Sequence, residues 1–382
     1  MKKVIMLGLG VFIALSGSLK AQDEVNTITT AVPFLIIAGD ARASGLGEQG
    51  VATSADVYGV QWNPAKLAFL ERKHNIGVNY SPFLRQLVDD IGIANLSYAN
   101  RINDRSAFGA SLRYFGLGTI TTTTGPNDPG VDVQPNEFIV DATYALRLGD
   151  RFSMAVSGRF LRSDLRIQQI DPDASAASSF GVDISGYYQS EEVVYNNFDG
   201  RWRGGFNISN IGPKVRYDDS GQEDFIPTNL KLGGGFDFIL DGYNKIFVGL
   251  EFNKLLVPTP SDSNGDGLVN SEDDFSNESF FSGIFSSFSD APGGFSEEIR
   301  EFTWSLASEY VYDDVFSLRV GYFNESDIKG ARKFATLGAG FEYSSIDIDL
   351  SYLISTGTVR SPLENTLRFG LTFRLGDDYD EY

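Results

Sequence analysis

A formal charge of −20 over 382 residues, from 51 acidic and 31 basic side chains, argues against a nucleic-acid partner, because phosphate binding needs basic surface. No cysteine occurs, which excludes a disulfide scaffold and any thiolate metal centre. The 30 Phe, 17 Tyr and 41 Gly fit a sheet that meets lipid through aromatic girdles and spends glycine where interior space is short.

In chain order, Lys2 and Lys3 come first, then an apolar run from Val4 to Leu15, then Ser16-Gly17-Ser18-Leu19-Lys20-Ala21. That order is a secretory signal peptide, residues 1–21, cut after Ala21. The apolar run falls short of the roughly 20 residues a spanning helix needs. The mature chain then starts near Gln22, outside the cytoplasm. Beyond it there is no run of about 18 apolar residues, so this chain can span a bilayer only as a closed barrel. The expected location is the outer membrane, with its lipid as a partner.

Residues 22–72 do not read as barrel wall. They hold Gly39-Asp40-Ala41-Arg42-Ala43-Ser44-Gly45-Leu46-Gly47, then Gly50-Val51-Ala52, Asp56 and Trp62-Asn63-Pro64-Ala65. Small residues at close spacing suit tight packing in a confined space, and Asn-Pro marks a turn. The expectation is a compact plug in the periplasmic part of a barrel formed by 73–376, with an acidic tail at 377–382.

The barrel expectation rests on period-two segments. Ile246, Val248, Leu250 and Phe252 alternate with Phe247, Gly249, Glu251 and Asn253; Leu367, Phe369, Leu371, Phe373 and Leu375 alternate with Arg368, Gly370, Thr372 and Arg374. Such patterns are strands with one apolar face. Segments of this kind lie near 75–83, 91–101, 106–117, 136–147, 152–164, 179–189, 202–211, 228–239, 245–256, 301–312, 315–323, 333–343, 346–355 and 365–375. The fold class is therefore an all-β, transmembrane antiparallel barrel of about fourteen strands, most near the ~10 residues a tilted membrane strand requires. Segment 91–101 alternates poorly.

Connections alternate in length. Asn103-Asp104-Arg105, Gly149-Asp150-Arg151, Asp241-Gly242, Asp313-Asp314 and Ser344-Ser345 are tight, whereas 118–135, 212–227 and 257–300 are long. Outer-membrane barrels turn tightly in the periplasm and loop out at the cell surface, which puts both chain ends on the periplasmic side. Connection 190–201 breaks the alternation.

The loop 257–300 carries the sharpest motif. Asp262, Asn264, Asp266, Leu268, Asn270 and Asp273 follow the oxygen-ligand spacing of a calcium loop, with Gly267 at the sharp turn and Asp273 where Glu is usual. Ca²⁺ is the one cofactor expected, and its role would be to order the loop. The same segment concentrates phenylalanine, including Phe280, Phe281 and Phe285, with a short amphipathic helix expected within 279–288. Exposed aromatic patches mark contacts, so these three are the expected docking residues.

His74, the only histidine, falls at the start of the first strand and reads as an interfacial polar group. No Gly-x-Ser-x-Gly elbow occurs, and an enzyme is not expected. Charges of both signs fall on inward positions, among them Arg113, Asp141, Arg159, Asp183, Glu251, Arg319 and Arg368. Enclosed charges are costly unless paired, so a filled lumen with mutual ion pairs is expected.

The run from Gly39 through Gly45-Leu46-Gly47 to Asn63-Pro64-Ala65, followed by about fourteen strands, resembles the FadL-like outer-membrane family over nearly the whole mature chain. Asn63-Pro64-Ala65 is that family's familiar plug mark. The Lys-Ala-Gln around the cleavage point, the acidic outer loops and the phrasing of 36–72 are most similar to its PorV branch, a component of type IX secretion in Bacteroidetes-type bacteria. The resemblance implies a carrier beside a giant translocon barrel. Such a carrier accepts cargo proteins by their C-terminal signal domains and passes them to a surface attachment complex. Classical FadL relatives imply the alternative, a transporter of hydrophobic small molecules.

Overall fold

The computed structural model describes residues 25–379 apart from 85–87, 124, 126, 168–172, 219–220 and 271. The expected signal peptide and residues 380–382 lie outside the described residues. Fourteen long strands form the wall: β1 (Arg72–Pro82), β2 (Ile91–Arg101), β3 (Ser106–Leu117), β4 (Asn136–Arg147), β5 (Phe152–Asp164), β6 (Ala177–Gln189), β7 (Asp199–Ile211), β8 (Asn229–Ile239), β9 (Asn244–Leu255), β10 (Thr303–Tyr312), β11 (Phe316–Asn324), β12 (Lys333–Tyr343), β13 (Ile346–Ser355) and β14 (Leu367–Asp378). Each pairs antiparallel with the next, and β14 returns to β1 with Tyr80 opposite Phe369 and Arg72 opposite Asp378. The sheet is closed, so the wall has no free edge.

The alternation in sequence becomes an inside and an outside. On β9, Val248, Leu250 and Phe252 are exposed outside while Phe247, Gly249 and Glu251 are buried inside. This apolar-out, mixed-in arrangement repeats around the ring, the reverse of a water-soluble sheet and the pattern of a lipid-facing barrel. Outward aromatics gather near both ends. Phe138, Phe160 and Phe180 form a ladder at one end with ring centroids 6.0 and 5.3 Å apart. At the other end Phe316 meets Phe341 at 5.0 Å. His74 falls on the outward register of β1, where its Nδ1 lies 3.0 Å from the Tyr98 hydroxyl and 2.8 Å from Asn100 Nδ2. No helix among the described residues is long and apolar enough to cross a membrane.

Tight turns lie at one end of the barrel and long loops at the other. Asp313 and Asp314 both take positive φ, at 53° and 52°, the twist-matched geometry of a two-residue hairpin. Connection 190–198 sits at the tight-turn end and continues the β6–β7 hairpin, with Val194 opposite Asp199 and Val193 opposite Gly200.

The chain ends correct the sequence expectation. Asn26 N–H donates to Ile328 O and Ala31 N–H to Phe225 O, both at 2.9 Å, so the N-terminal segment starts at the long-loop end. It leaves at the tight-turn end, where Arg101 Nη1 donates to Leu70 O at 2.7 Å. The reason is apolar matching. Ala31, Val32, Phe34 and Leu35 bury against Ile93, Phe115, Ile139 and Leu161, inward residues near the long-loop mouth. Residues 377–378, expected in a tail, extend β14, and Asp378 pairs with Arg72 at 2.7 Å. Tyr379 then lies under the Arg101 guanidinium, 4.3 Å from it.

Candidate functional site: the filled lumen and the long-loop rim

Residues 38–70 pack against inward-facing side chains around the ring. Asn63 sits at the junction. Its Oδ1 accepts from Ala65 N–H at 3.2 Å, capping the 3₁₀ helix Pro64–Phe69, and Pro64 takes the first helical position, where its missing N–H costs nothing. Asn63 Nδ2 donates to Val51 O at 2.9 Å and to Gly186 O of β6 at 3.0 Å. Ala65 N–H also donates to Ser185 Oγ at 3.1 Å, and Ala65 O accepts from Ser153 Oγ of β5 at 2.7 Å. The Asn-Pro-Ala element therefore ties the segment to two wall strands.

Neighbouring polar groups are satisfied within the segment. Asp40 caps the helix Ala41–Gly45 through Ala43 N–H and accepts from Trp62 Nε1 at 2.6 Å. Lys66, fully buried, donates to Gly50 O at 3.0 Å and Thr53 Oγ1 at 2.9 Å. The Gly45-Leu46-Gly47 run meets wall glycines backbone to backbone: Gly47, at φ +66°, lies against Gly321 of β11, and Gly45 against Gly338 of β12. At Gly109 of β3 a Cβ would come within 2.5 Å of Leu67 Cδ1 and 2.9 Å of Val60 Cγ2. A side chain at such positions would have to displace the segment.

Most of the inward charges pair as expected; Arg113 does not, its guanidinium reaching Leu35 O at 3.5 Å and lying over the Phe34 ring without a carboxylate among the described residues. Arg159 is held by Asp141 at 2.6 Å and Asp183 at 3.0 Å. Arg319 bridges Glu309 at 2.6 Å and Asp349 at 2.5 Å, and Glu309 also accepts from Arg42 of the N-terminal segment at 3.0 Å. Glu251 accepts the Gly50 and Val51 N–H groups at 2.9 and 3.0 Å. Arg368 donates to Ser44 Oγ.

At the rim, the connection from β9 to β10 folds into short helices, among them Phe280–Ser286. Lys254 continues the outward register of β9 yet is fully buried beneath this connection, pairing with Glu298 at 2.8 Å and Glu301 at 2.5 Å. Lys329 pairs with Glu301 at 3.0 Å and with Glu297 at 2.5 Å. Burial pushes the carboxyl of Asp290, beside this network, above the ordinary range. Sequence reading missed the network, whose members lie on β9, on the connection that follows it and on the β11–β12 connection.

Of the three expected docking phenylalanines, two are presented together. Phe281 and Phe285 are exposed one helical turn apart, edge to face at 5.3 Å, whereas Phe280 turns into a polar groove of about 560 Å³ beside Pro213 and Lys214. Phe295 of the same connection is 79% exposed, although it was not among the three expected docking residues.

The calcium-spaced residues form one loop whose oxygens engage its own backbone. Asp262 accepts from Gly265 N–H at 2.6 Å and Gly267 N–H at 2.9 Å, Asn264 from Asp266 N–H at 2.9 Å, and Asp266 from Leu268 N–H at 2.7 Å. Asp273 accepts from the N–H groups of Asn270 at 2.9 Å and Ser263 at 2.8 Å. These donors, Asn270 first, hold its carboxyl below the usual range. The three aspartates are not drawn into a metal-holding cluster. Among the described residues the carboxylates that do converge are Asp290, Glu298 and Glu301, and the Lys254 ammonium already bridges the two glutamates.

A closed fourteen-stranded wall, lipid-facing outside and filled by the chain's own N-terminal segment, defines an outer-membrane barrel of FadL-like architecture. Solved structures agree. The CymD monoaromatic hydrocarbon channel matches 90% of this chain and 99% of its own at 12% identity, TM-score 0.50. The Pseudomonas putida toluene transporter TodX matches 92% of this chain and 99% of its own at 11% identity, TM-score 0.50. No curated protein matches. The family model of the type IX secretion system protein PorV matches residues 20–262, well over half of the chain. This chain belongs to the PorV family, a family of secretion proteins rather than enzymes.

Proposed function

We propose that this barrel is a carrier in type IX secretion: it receives secreted proteins by their C-terminal signal domains beside the translocon barrel and passes them to the surface attachment complex. Family membership supports the secretion role. The filled lumen supports a carrier over a conduit, because Asn63, Ala65, Gly47 and Arg42 all bond to wall residues across the ring. In this reading residues 22–72 are a fixed plug, the tight turns face the periplasm, and the long-loop rim is the receiving surface. Phe281 and Phe285 are its anchors, since exposed aromatics can carry most of an interface's affinity.

The loop 262–273 takes one Ca²⁺ to stiffen that surface. Asp262 keeps free lone pairs after accepting two N–H bonds, Asp273 would exchange some of its four donors for the ion, and the donor set is all oxygen, which suits a hard cation.

The second reading, a channel for hydrophobic solutes, is favoured by one observation: the apolar cluster of Phe34, Leu35, Ile93, Phe115, Ile139 and Leu161 at the mouth. A deletion strain separates the two. The carrier requires that C-terminally tagged cargo stay unattached or unreleased. The double variant F281S/F285S should still assemble and should bind cargo about thirtyfold more weakly or worse, a loss of ~2 kcal/mol on truncating anchors. Normal secretion of every tagged cargo by the deletion strain, with poorer uptake of a hydrophobic solute, would overturn the carrier and leave the channel.

A further inference from the structure

The connection between β6 and β7 differs in chemistry from the other tight-turn connections. Those are Asn-Asp-Arg, Gly-Asp-Arg, Asp-Gly, Asp-Asp and Ser-Ser; this one reads Glu191-Glu192-Val193-Val194-Tyr195-Asn196-Asn197-Phe198. The tip is closed by Tyr195 N–H donating to Phe198 O at 2.9 Å. Its two rings stack at 5.0 Å and do not face the lumen. They continue onto the outward aromatics of the wall: Tyr195 meets Phe236 at 6.0 Å, Phe198 meets Phe238 at 5.5 Å, and Trp202 meets Phe236 at 4.7 Å. Trp202 alternates with buried Arg201, and Phe236 and Phe238 alternate with buried Asp237, so all three lie on the lipid-facing register. Gly200 makes the seat, because a Cβ there would strike the Phe236 ring. The charges at the hairpin's base are paired, Glu191 with Arg151 and Glu192 with Arg201, and the tip itself carries uncharged Asn196 and Asn197.

We infer that residues 193–198 are a membrane anchor, an extension of the lipid-facing wall that seats one sector of the barrel in the headgroup layer at the tight-turn end. Three features select lipid over a protein partner. The aromatic surface is continuous with the lipid-facing wall. Its rings end in a phenol and an amide-bearing tip, the amphipathic chemistry of an interfacial belt. The two glutamates at the base are neutralised in pairs, which leaves Asp199 as the one acidic group bordering the tip and lowers the cost of approaching hydrocarbon. Exposed Tyr243 in the β8–β9 turn and Tyr343 beside the β12–β13 turn give those turns single rings, but neither turn carries a stacked pair on an extended hairpin, so the 193–198 sector is held deeper and sets the tilt and depth of the barrel.

The cysteine-free chain permits a direct test. Single-cysteine variants Y195C, N197C and F198C, labelled with bimane, are placed in vesicles of phosphatidylethanolamine and phosphatidylglycerol. V248C serves as the lipid-wall reference and D150C as the water-facing turn. Heat-modifiable migration on gels selects folded barrels. Bimane at 195 and 198 should lose its emission to nitroxide-labelled phospholipid to the same degree as at 248, and resist aqueous iodide. Quenching by iodide to the level seen at 150 would overturn the anchor, and so would protection from both quenchers. N197C removes no ring, so a folding failure of the other two leaves the question answerable: its label should be quenched by headgroup-attached nitroxide, and iodide quenching equal to that at 150 would again refute the proposal.

Discussion

Replacing Asn63 with Ala should unseat the N-terminal segment without opening the wall. The variant loses the cap on the helix Pro64–Phe69, a loss of about 1 kcal/mol. It also leaves the buried Val51 carbonyl without its donor, about 1–3 kcal/mol more. A total near 3 kcal/mol raises the population of the unseated state by about two orders of magnitude. Lys66, wholly buried and bonded to Gly50 O and Thr53 Oγ1, reports that state, because trypsin reaches it only when the helix leaves its place. Where reseating is faster than cleavage, the rate follows the open population. The expectation is ~100-fold faster cutting after Lys66 in folded barrels, with unchanged heat-modifiable migration. Ser153→Ala, which removes one 2.7 Å bond to Ala65 O, should give roughly fivefold. Cleavage of a folded N63A barrel no faster than the parent would refute the idea that this motif seats the segment.

Lys254→Met should leave buried Glu298 without an ammonium and Glu301 with that of Lys329 alone, cost about 3–5 kcal/mol, and expose the β9–β10 connection to protease; an equally resistant loop would show that Lys329 alone suffices. Chelation should increase cleavage within 257–300 of the parent, and D262A/D266A should be cleavable with or without calcium; a parent pattern indifferent to chelator removes the calcium site. Single cysteines at Gly125, Gly221 and Gly265 should react with an impermeant reagent on intact cells while those at Asp150 and Asp313 do not, and the opposite pattern would invert the barrel.

Alternation alone located the wall because lipid outside and a mixed interior leave a period-two imprint. It weakened at β2 for a physical reason. There the interior is locally apolar, with Ile93 buried against the cluster of Phe34 and Leu35, while outward positions carry Gly92 and Ala94. The plug mark was legible as composition, but not its path: the backbone bonds of Asn26 and Ala31 to the long loops, and the matching of Phe34 and Leu35 to Phe115 and Ile139, show that the segment begins at the long-loop mouth. The Lys254 cluster joins the end of β9 to residues more than forty positions on and to Lys329 of another loop, and no local pattern announces such a meeting. Phe280 diverged from Phe281 because a helix of seven residues has two faces.

The Arg368 bond to Ser44 joins residues 324 positions apart, and Arg368 lies on the final strand. The interior is therefore completed only when the fourteenth strand joins the wall. A chain stalled before β14 would leave Ser44 without this partner and Tyr80 without Phe369 opposite it. The seat of the N-terminal segment thus depends on the strand farthest from it in sequence, and a wall without that strand cannot supply it.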